Sequence, residues 1–187
     1  MKADAEVFIE VTINSGISVE DASKDLTDSI TEAFSATQVM PIKDPDINLQ
    51  IYWSNFFRSY SLKCQQRWFY QANKLKDEQS RYNLWFTTFE PVWSAGCNLA
   101  KQNSLQSMKQ FIFSILEKEN KDDREQITKL TNDMLFHLEK EMTKMIAENK
   151  ESQSKAMLTS LSKLQELEEA SFLKKLFLLI KSRRMNK

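Results

Sequence analysis

The amino-acid sequence predicts an all-α fold: an elongated helical bundle with long antiparallel, coiled-coil-like helices. Its 187 residues include only two glycines and three prolines, which is too few for the many turns of a β-rich fold. All four tryptophans and most other aromatic side chains lie at helical spacing between residues 47 and 93. Further along the chain, apolar residues recur with the a/d spacing of a helical seam between Leu105 and Met145.

Residues 1–17 are predicted to form an N-terminal arm, separate from a single helical bundle domain over residues 18–187. Apolar and polar side chains alternate from Ala5 to Ile13, a pattern typical of a β-strand, and Gly16 ends the segment. Since a single strand cannot bury itself, we expect an arm that docks elsewhere. Pairing with another chain and a helical conformation are the alternatives.

A first amphipathic helix is predicted over about residues 18–37. Ser18 is a candidate N-cap, and Glu20 and Asp21 follow in the first turn, where the helix dipole favours acids. Apolar residues then recur at helical spacing and form one face. Two prolines after this helix predict a short, stiff linker.

One long aromatic helix is predicted over about residues 47–95. Beside its main apolar stripe lies a smaller second face formed by Ile51, Leu62 and Phe69. A helix with two apolar faces is either central in a bundle or covered by another subunit, so these three residues are predicted to contact a protein partner. Basic residues between the aromatics also permit a nucleic-acid interface, although the helical period of the aromatic residues favours core packing. The basic residues concerned are Arg58, Lys63, Arg67, Lys74 and Arg81.

Two further long helices are predicted over about residues 98–150 and 154–184. Gly96 is predicted to end the preceding helix as its C′ residue. The wholly polar segment 117–126 is either a loop or a solvated stretch of helix, because no glycine or proline forces a turn. A second polar segment, 148–155, is predicted to form the last turn between helices.

The last predicted helix is apolar around most of its circumference, so we expect oligomerisation to cover Leu173, Leu176 and Leu179. The same helix is also basic, a pattern compatible with an anionic membrane surface or a nucleic-acid backbone. The residues of that alternative surface are Lys174, Lys175, Lys181, Arg183, Arg184 and Lys187.

The formal net charge of the chain is zero, but the charge is unevenly distributed. The first fifty residues contain ten acids and three bases, so the rest of the chain is correspondingly basic. The two parts attract each other within the molecule, are simply solvated faces, or face different partners.

Little in the sequence indicates an enzyme, a metal site or a cofactor. His137 is the only histidine and is predicted to be a hydrogen-bonded structural residue beside the seam, while Cys64 and Cys97 are predicted to be reduced core residues. Two isolated glycines cannot form a phosphate-binding loop. With neither a signal peptide nor a membrane-spanning apolar run, the protein is expected to be intracellular, in the cytoplasm or the nucleus.

The layout of three long helices is similar to that of the membrane-bending BAR-type dimers, whose helical hairpins present basic residues on a curved face. This resemblance is one of helix lengths and covers most of the chain. The sequence therefore predicts a non-enzymatic protein–protein interaction or scaffold subunit, homo-oligomeric or part of a larger complex, without a small-molecule substrate. Binding of an anionic membrane surface or of nucleic acid is the alternative.

Overall fold

The computed structural model describes residues 2–38, 45–119 and 124–185, and the side chains of residues 2–37, 49–110, 112–114, 124–159 and 162–163. These ranges contain helices and turns but no strand, so the predicted all-α class is confirmed. The elements in chain order are α1 Lys2–Asn14, α2 Val19–Gln38, α3 Pro45–Ala72, α4 Glu78–Leu84, a π-helical segment Trp85–Phe89, α5 Glu90–Glu119 and α6 Arg124–Met185.

The N-terminal segment is a helix, so the predicted strand is wrong. Phe8, which interrupts the alternating pattern, is the buried centre of α1. One turn later Thr12 is fully buried, and its hydroxyl donates a 2.7 Å hydrogen bond to the Phe8 carbonyl. The alternation favoured a strand, but a helix satisfies its backbone hydrogen bonds internally and α5 covers its buried side.

The turn between α1 and α2 agrees with the sequence prediction. Gly16 has a φ of 67°, which a residue without Cβ adopts at low cost, and its amide bonds the Ile13 carbonyl at 2.9 Å. Ser18 then accepts a 3.3 Å hydrogen bond from the Asp21 amide. The predicted cap and the start of α2 are therefore confirmed.

The predicted single helix over residues 47–95 is wrong, because α3 ends at Ala72 and the chain reverses. Asp77 begins the next helix by accepting a 2.8 Å hydrogen bond from the Ser80 amide. The Arg81 guanidinium donates to the Leu75 carbonyl at 3.0 and 3.1 Å, and the Trp68 indole donates to the Arg81 carbonyl at 3.0 Å. These bonds stabilise a tight reversal that contains neither glycine nor proline.

After the reversal, the second aromatic stretch runs antiparallel to the first. The Trp68 and Trp85 rings meet edge to face at 6.1 Å, and the Trp93 indole donates to the Ser61 hydroxyl at 3.2 Å. Gly96 lies inside α5 against the Tyr60 ring. Its predicted role as a helix terminator is therefore wrong, and its lack of a side chain is needed for close helix packing.

The core forms where the aromatic hairpin meets its neighbours. α2 packs on α3, while α5 contacts α1, α2, α3 and α6. The largest side chains that are essentially inaccessible to solvent are Trp53, Phe56, Tyr60, Trp85, Phe89 and Trp93. Core packing of the main aromatic stripe is therefore confirmed.

The α6 helix has 62 residues, about 93 Å at 1.5 Å per residue, and is continuous through the predicted turn at 148–155. Gln153 is buried there, and its amide donates to the Ser61 hydroxyl and, at 2.8 Å, to Asn149 Oδ1. Lys155 forms an ion pair with Glu151 one turn earlier. The polar residues thus have helix-compatible partners, and the predicted turn is wrong.

Candidate interaction surface

The outward side of α3 exposes apolar side chains between basic ones. Leu62 is 52% and Phe69 47% exposed, Tyr70 and Arg58 are exposed beside them, and Lys74 is exposed in the turn that follows α3. We call these five residues the outer α3 face. Of the interaction residues predicted on this helix, Leu62 and Phe69 belong to it, whereas Ile51 is half-buried.

The remaining predicted contact residues lie where side chains are not described. The α6 backbone is helical through Met185, so most of these positions belong to one helix. The residues concerned are Leu173, Leu176, Leu179, Lys174, Lys175, Lys181, Arg183 and Arg184, while Lys187 lies outside the described residues entirely.

The chain contains no acidic residue between Asp46 and Asp77, so all charged side chains in that stretch are basic. α2 neutralises two of them. Lys63 Nζ lies 3.1 Å from Glu32 Oε1, and Arg67 pairs with both Asp21, at 3.3 Å, and Asp25. Of the alternatives for the uneven charge, attraction within the molecule is observed between α2 and α3.

The cations that remain on the outer α3 face are Arg58 and Lys74. Lys74 Nζ lies 4.3 Å from the centroid of the Tyr70 ring, a cation–π geometry. The face therefore combines exposed apolar and aromatic groups with positive charge, and it offers no carboxylate of its own.

A groove of about 400 Å³ follows the seam between α2 and α3, with Leu62, Arg58 and Glu32 among its lining residues. Its floor contains hydroxyl and amide groups, including Ser59 and Asn55. The Ser59 hydroxyl donates to the Glu32 carboxylate and accepts from Lys63 at 3.1 Å. These bonds hold the seam closed beneath the exposed apolar residues.

The hydroxyl of Ser59, followed by Lys63, lowers the pKa of Glu32 below its ordinary value of 4.5. This carboxylate therefore stabilises the fold above pH 4.5, and its contribution is lost as the pH falls through the lowered pKa. Glu32→Gln is expected to flatten the decline of the unfolding free energy below pH 4.5. At pH 7 the cost is below about 1 kcal/mol, because the side chain is mostly exposed.

The measurement is urea unfolding followed by circular dichroism at several pH values between 3 and 7. Ser59→Ala is the matched variant, since it removes the largest cause of the pKa shift and leaves the carboxyl group in place. Ser59→Ala should also flatten the decline of the unfolding free energy below pH 4.5. If the decline of the unfolding free energy below pH 4.5 is unchanged in both variants, the Glu32 carboxylate does not contribute to it and the prediction is wrong.

A second exposed apolar face lies on α1, and its residues were not among the predicted contact residues. Ile9 is 42% and Ile13 61% exposed, one helical turn apart. The strand pattern also placed these two isoleucines on one side of the segment, but only the helical period places Phe8 and Thr12 together on a separate side, about 100° away. Phe136 on α6, 73% exposed, was also missed.

The side chains with potential for catalysis are dispersed. His137 is exposed on α6, next to the buried Leu138, and its hydrogen-bonded structural role stays a prediction. Cys64 and Cys97 are buried as predicted, and burial raises the pKa of the Cys64 thiol to about 12. Within the described ranges, no group of three or more His, Cys, Asp and Glu side chains could hold a metal ion. Over the same ranges, no helix has the length and hydropathy needed to cross a bilayer.

Comparison with known proteins adds no relative. No protein-family model matches the sequence. Neither a curated protein nor a solved structure shows significant similarity to it.

Proposed function

We propose that this protein is a non-enzymatic interaction subunit that binds another protein through the outer α3 face. The observation that supports this proposal best is the exposure of Leu62 and Phe69 on a helix whose opposite side forms the aromatic core. Surface leucine and phenylalanine placed seven residues apart present one apolar ridge on a helix. Such ridges are typical of helix-mediated recognition.

The charge of the face supports the same proposal. Arg58 and Lys74 flank the apolar residues, and arginine and aromatic residues are enriched at protein interfaces. The internal ion pairs with α2 neutralise Lys63 and Arg67, so the positive charge that remains on the outer α3 face comes from Arg58 and Lys74. A partner with apolar residues between carboxylates would complement this arrangement.

The proposal is tested by placing a photo-crosslinking amino acid at Gln66, an exposed position between Leu62 and Phe69. Irradiation of cells that produce the full chain should yield discrete crosslinked protein bands, which the additional change of Leu62 and Phe69 to glutamate removes. Thr128, exposed on α6, is the control position. Absence of any crosslink from position 66, or an equal pattern from position 128, would contradict the proposal.

A further inference from the structure

The exposed side of α1 is an acidic apolar surface. Ile9 and Ile13 are exposed one turn apart, and Glu6 and Glu10 are exposed beside them. We call these four residues the outer α1 face. The helix itself is firmly anchored, because Phe8 and Thr12 are buried on a neighbouring side, about 100° around the helix from the isoleucines. The isoleucines are therefore held in place without being covered.

The outer α1 face complements the outer α3 face in charge. Residues 2–14 contain three acids and one base, and the base, Lys2, lies 4.0 Å from Glu6 in an exposed pair that contributes little. The outer α3 face contains only positive charge, from Arg58 and Lys74. Opposite charges around two apolar patches favour one mutual orientation and suppress like-with-like contacts.

The two faces also match in dimensions. Leu62 and Phe69 are seven residues apart, which places them about 10 Å apart along the helix axis. Ile9 and Ile13 span about 6 Å on the same scale, so the isoleucine pair can pack along the ridge of Leu62 and Phe69 within its length. The thirteen residues of α1 extend about 20 Å, close to the length of α3 from Arg58 to its end at Ala72.

We infer that the outer α1 face of one copy of this protein docks on the outer α3 face of a second copy. This inference rests on the proposed function and names its partner. The contact is heterologous, since the two surfaces are different. A single short helix buries less than a standard interface of about 800 Å² per partner, so the association is weak and weakens further as salt screens the charges.

The inference is tested with two variants of the full chain. The first, Leu62→Glu with Phe69→Glu, destroys the α3 face and keeps the α1 face. The second, Ile9→Glu with Ile13→Glu, does the reverse. Light scattering at about 200 µM in low salt should show wild-type protein above its monomer mass of 21.9 kDa and each variant alone as a monomer. An equimolar mixture of the variants should regain a dimer, because each supplies the face that the other lacks.

Control variants separate this contact from other associations. Val7→Glu changes an exposed residue on another side of α1, and Phe136→Glu changes an exposed aromatic on α6; both should associate like wild type. All substituted positions are at least two-fifths exposed, and circular dichroism checks that the helices persist.

Three outcomes overturn the inference. In the first, the α3-face variant and the α1-face variant each associate like wild type. In the second, the mixture of these two variants stays monomeric while wild type associates. In the third, wild type remains monomeric at 200 µM. In all three cases crosslinking from position 66 to a different protein would leave the proposed function intact. Absence of any crosslink from position 66 as well would overturn both the inference and the proposed function.

Discussion

Trp53→Ala is expected to lower the free energy of unfolding by about 4 kcal/mol, a large part of the 5 to 15 kcal/mol typical of folded domains. The side chain is fully buried, and its ring lies 5.1 to 5.5 Å from the rings of Tyr52, Phe56 and Phe57. Removing it leaves a cavity between rigid rings that cannot collapse. Urea unfolding followed by circular dichroism measures the change.

Two matched variants make this prediction specific. Phe69→Ala removes a large aromatic side chain from the same helix but from its exposed side, and should cost less than about 0.5 kcal/mol. Trp53→Phe keeps an aromatic ring and should cost about 1 to 2 kcal/mol. Within the described part of the chain the Trp53 indole N–H makes no hydrogen bond, so only volume is lost. Equal costs for Trp53→Ala and Phe69→Ala would contradict the observed orientation of α3.

Gly96→Ala is expected to lower the free energy of unfolding by about 2 to 3 kcal/mol. A Cβ at this position would lie 2.2 Å from the Tyr60 hydroxyl oxygen and 2.7 and 2.8 Å from two ring carbons. The Tyr60 ring is buried and its hydroxyl bonds the Val92 carbonyl at 3.3 Å, so α3 and α5 must separate. The gain of about 1 kcal/mol in helix propensity offsets only part of that cost. Thermal unfolding of wild type and Gly96→Ala measures the net loss of stability.

Gly16→Ala is the comparison, since nothing lies within 4 Å of its added Cβ and only the φ of 67° opposes the change. Its expected cost is about 1 kcal/mol. Combining Gly96→Ala with Tyr60→Leu, which removes the ring in the way, should cost clearly less than the sum of the two single changes. Additive costs would show that the ring is not the obstacle.

Elements with local signals were predicted well. The start of α2 follows from Ser18 and the acids after it, and its preceding turn follows from Gly16, because caps and turns depend on residues adjacent in sequence. The buried stripe of α3 was also predictable, since the helical period selects one face. The same periodicity separated Leu62 and Phe69 from the core.

The reversal between α3 and α4 could not be predicted in the same way. Residues 73–77 lack glycine and proline, and the aromatic stripe keeps a helical phase across them. The reversal depends on the Trp68 indole bonding the Arg81 carbonyl and on Arg81 bonding Leu75. Those partners are remote until the chain has folded back, so no local pattern indicates them.

The sequence by itself determined that this protein is helical and which side of α2 and α3 faces the core, because composition and period act within a few turns of chain. Tertiary structure decided where the helices break, that Gly96 is a packing position rather than a terminator, and that α1 is a helix. It also decided which cations remain exposed, since Lys63 and Arg67 find acids on α2 while Arg58 stays on the surface. Each of these outcomes depends on the free energy of contacts between segments distant in sequence, which the order of residues alone does not reveal.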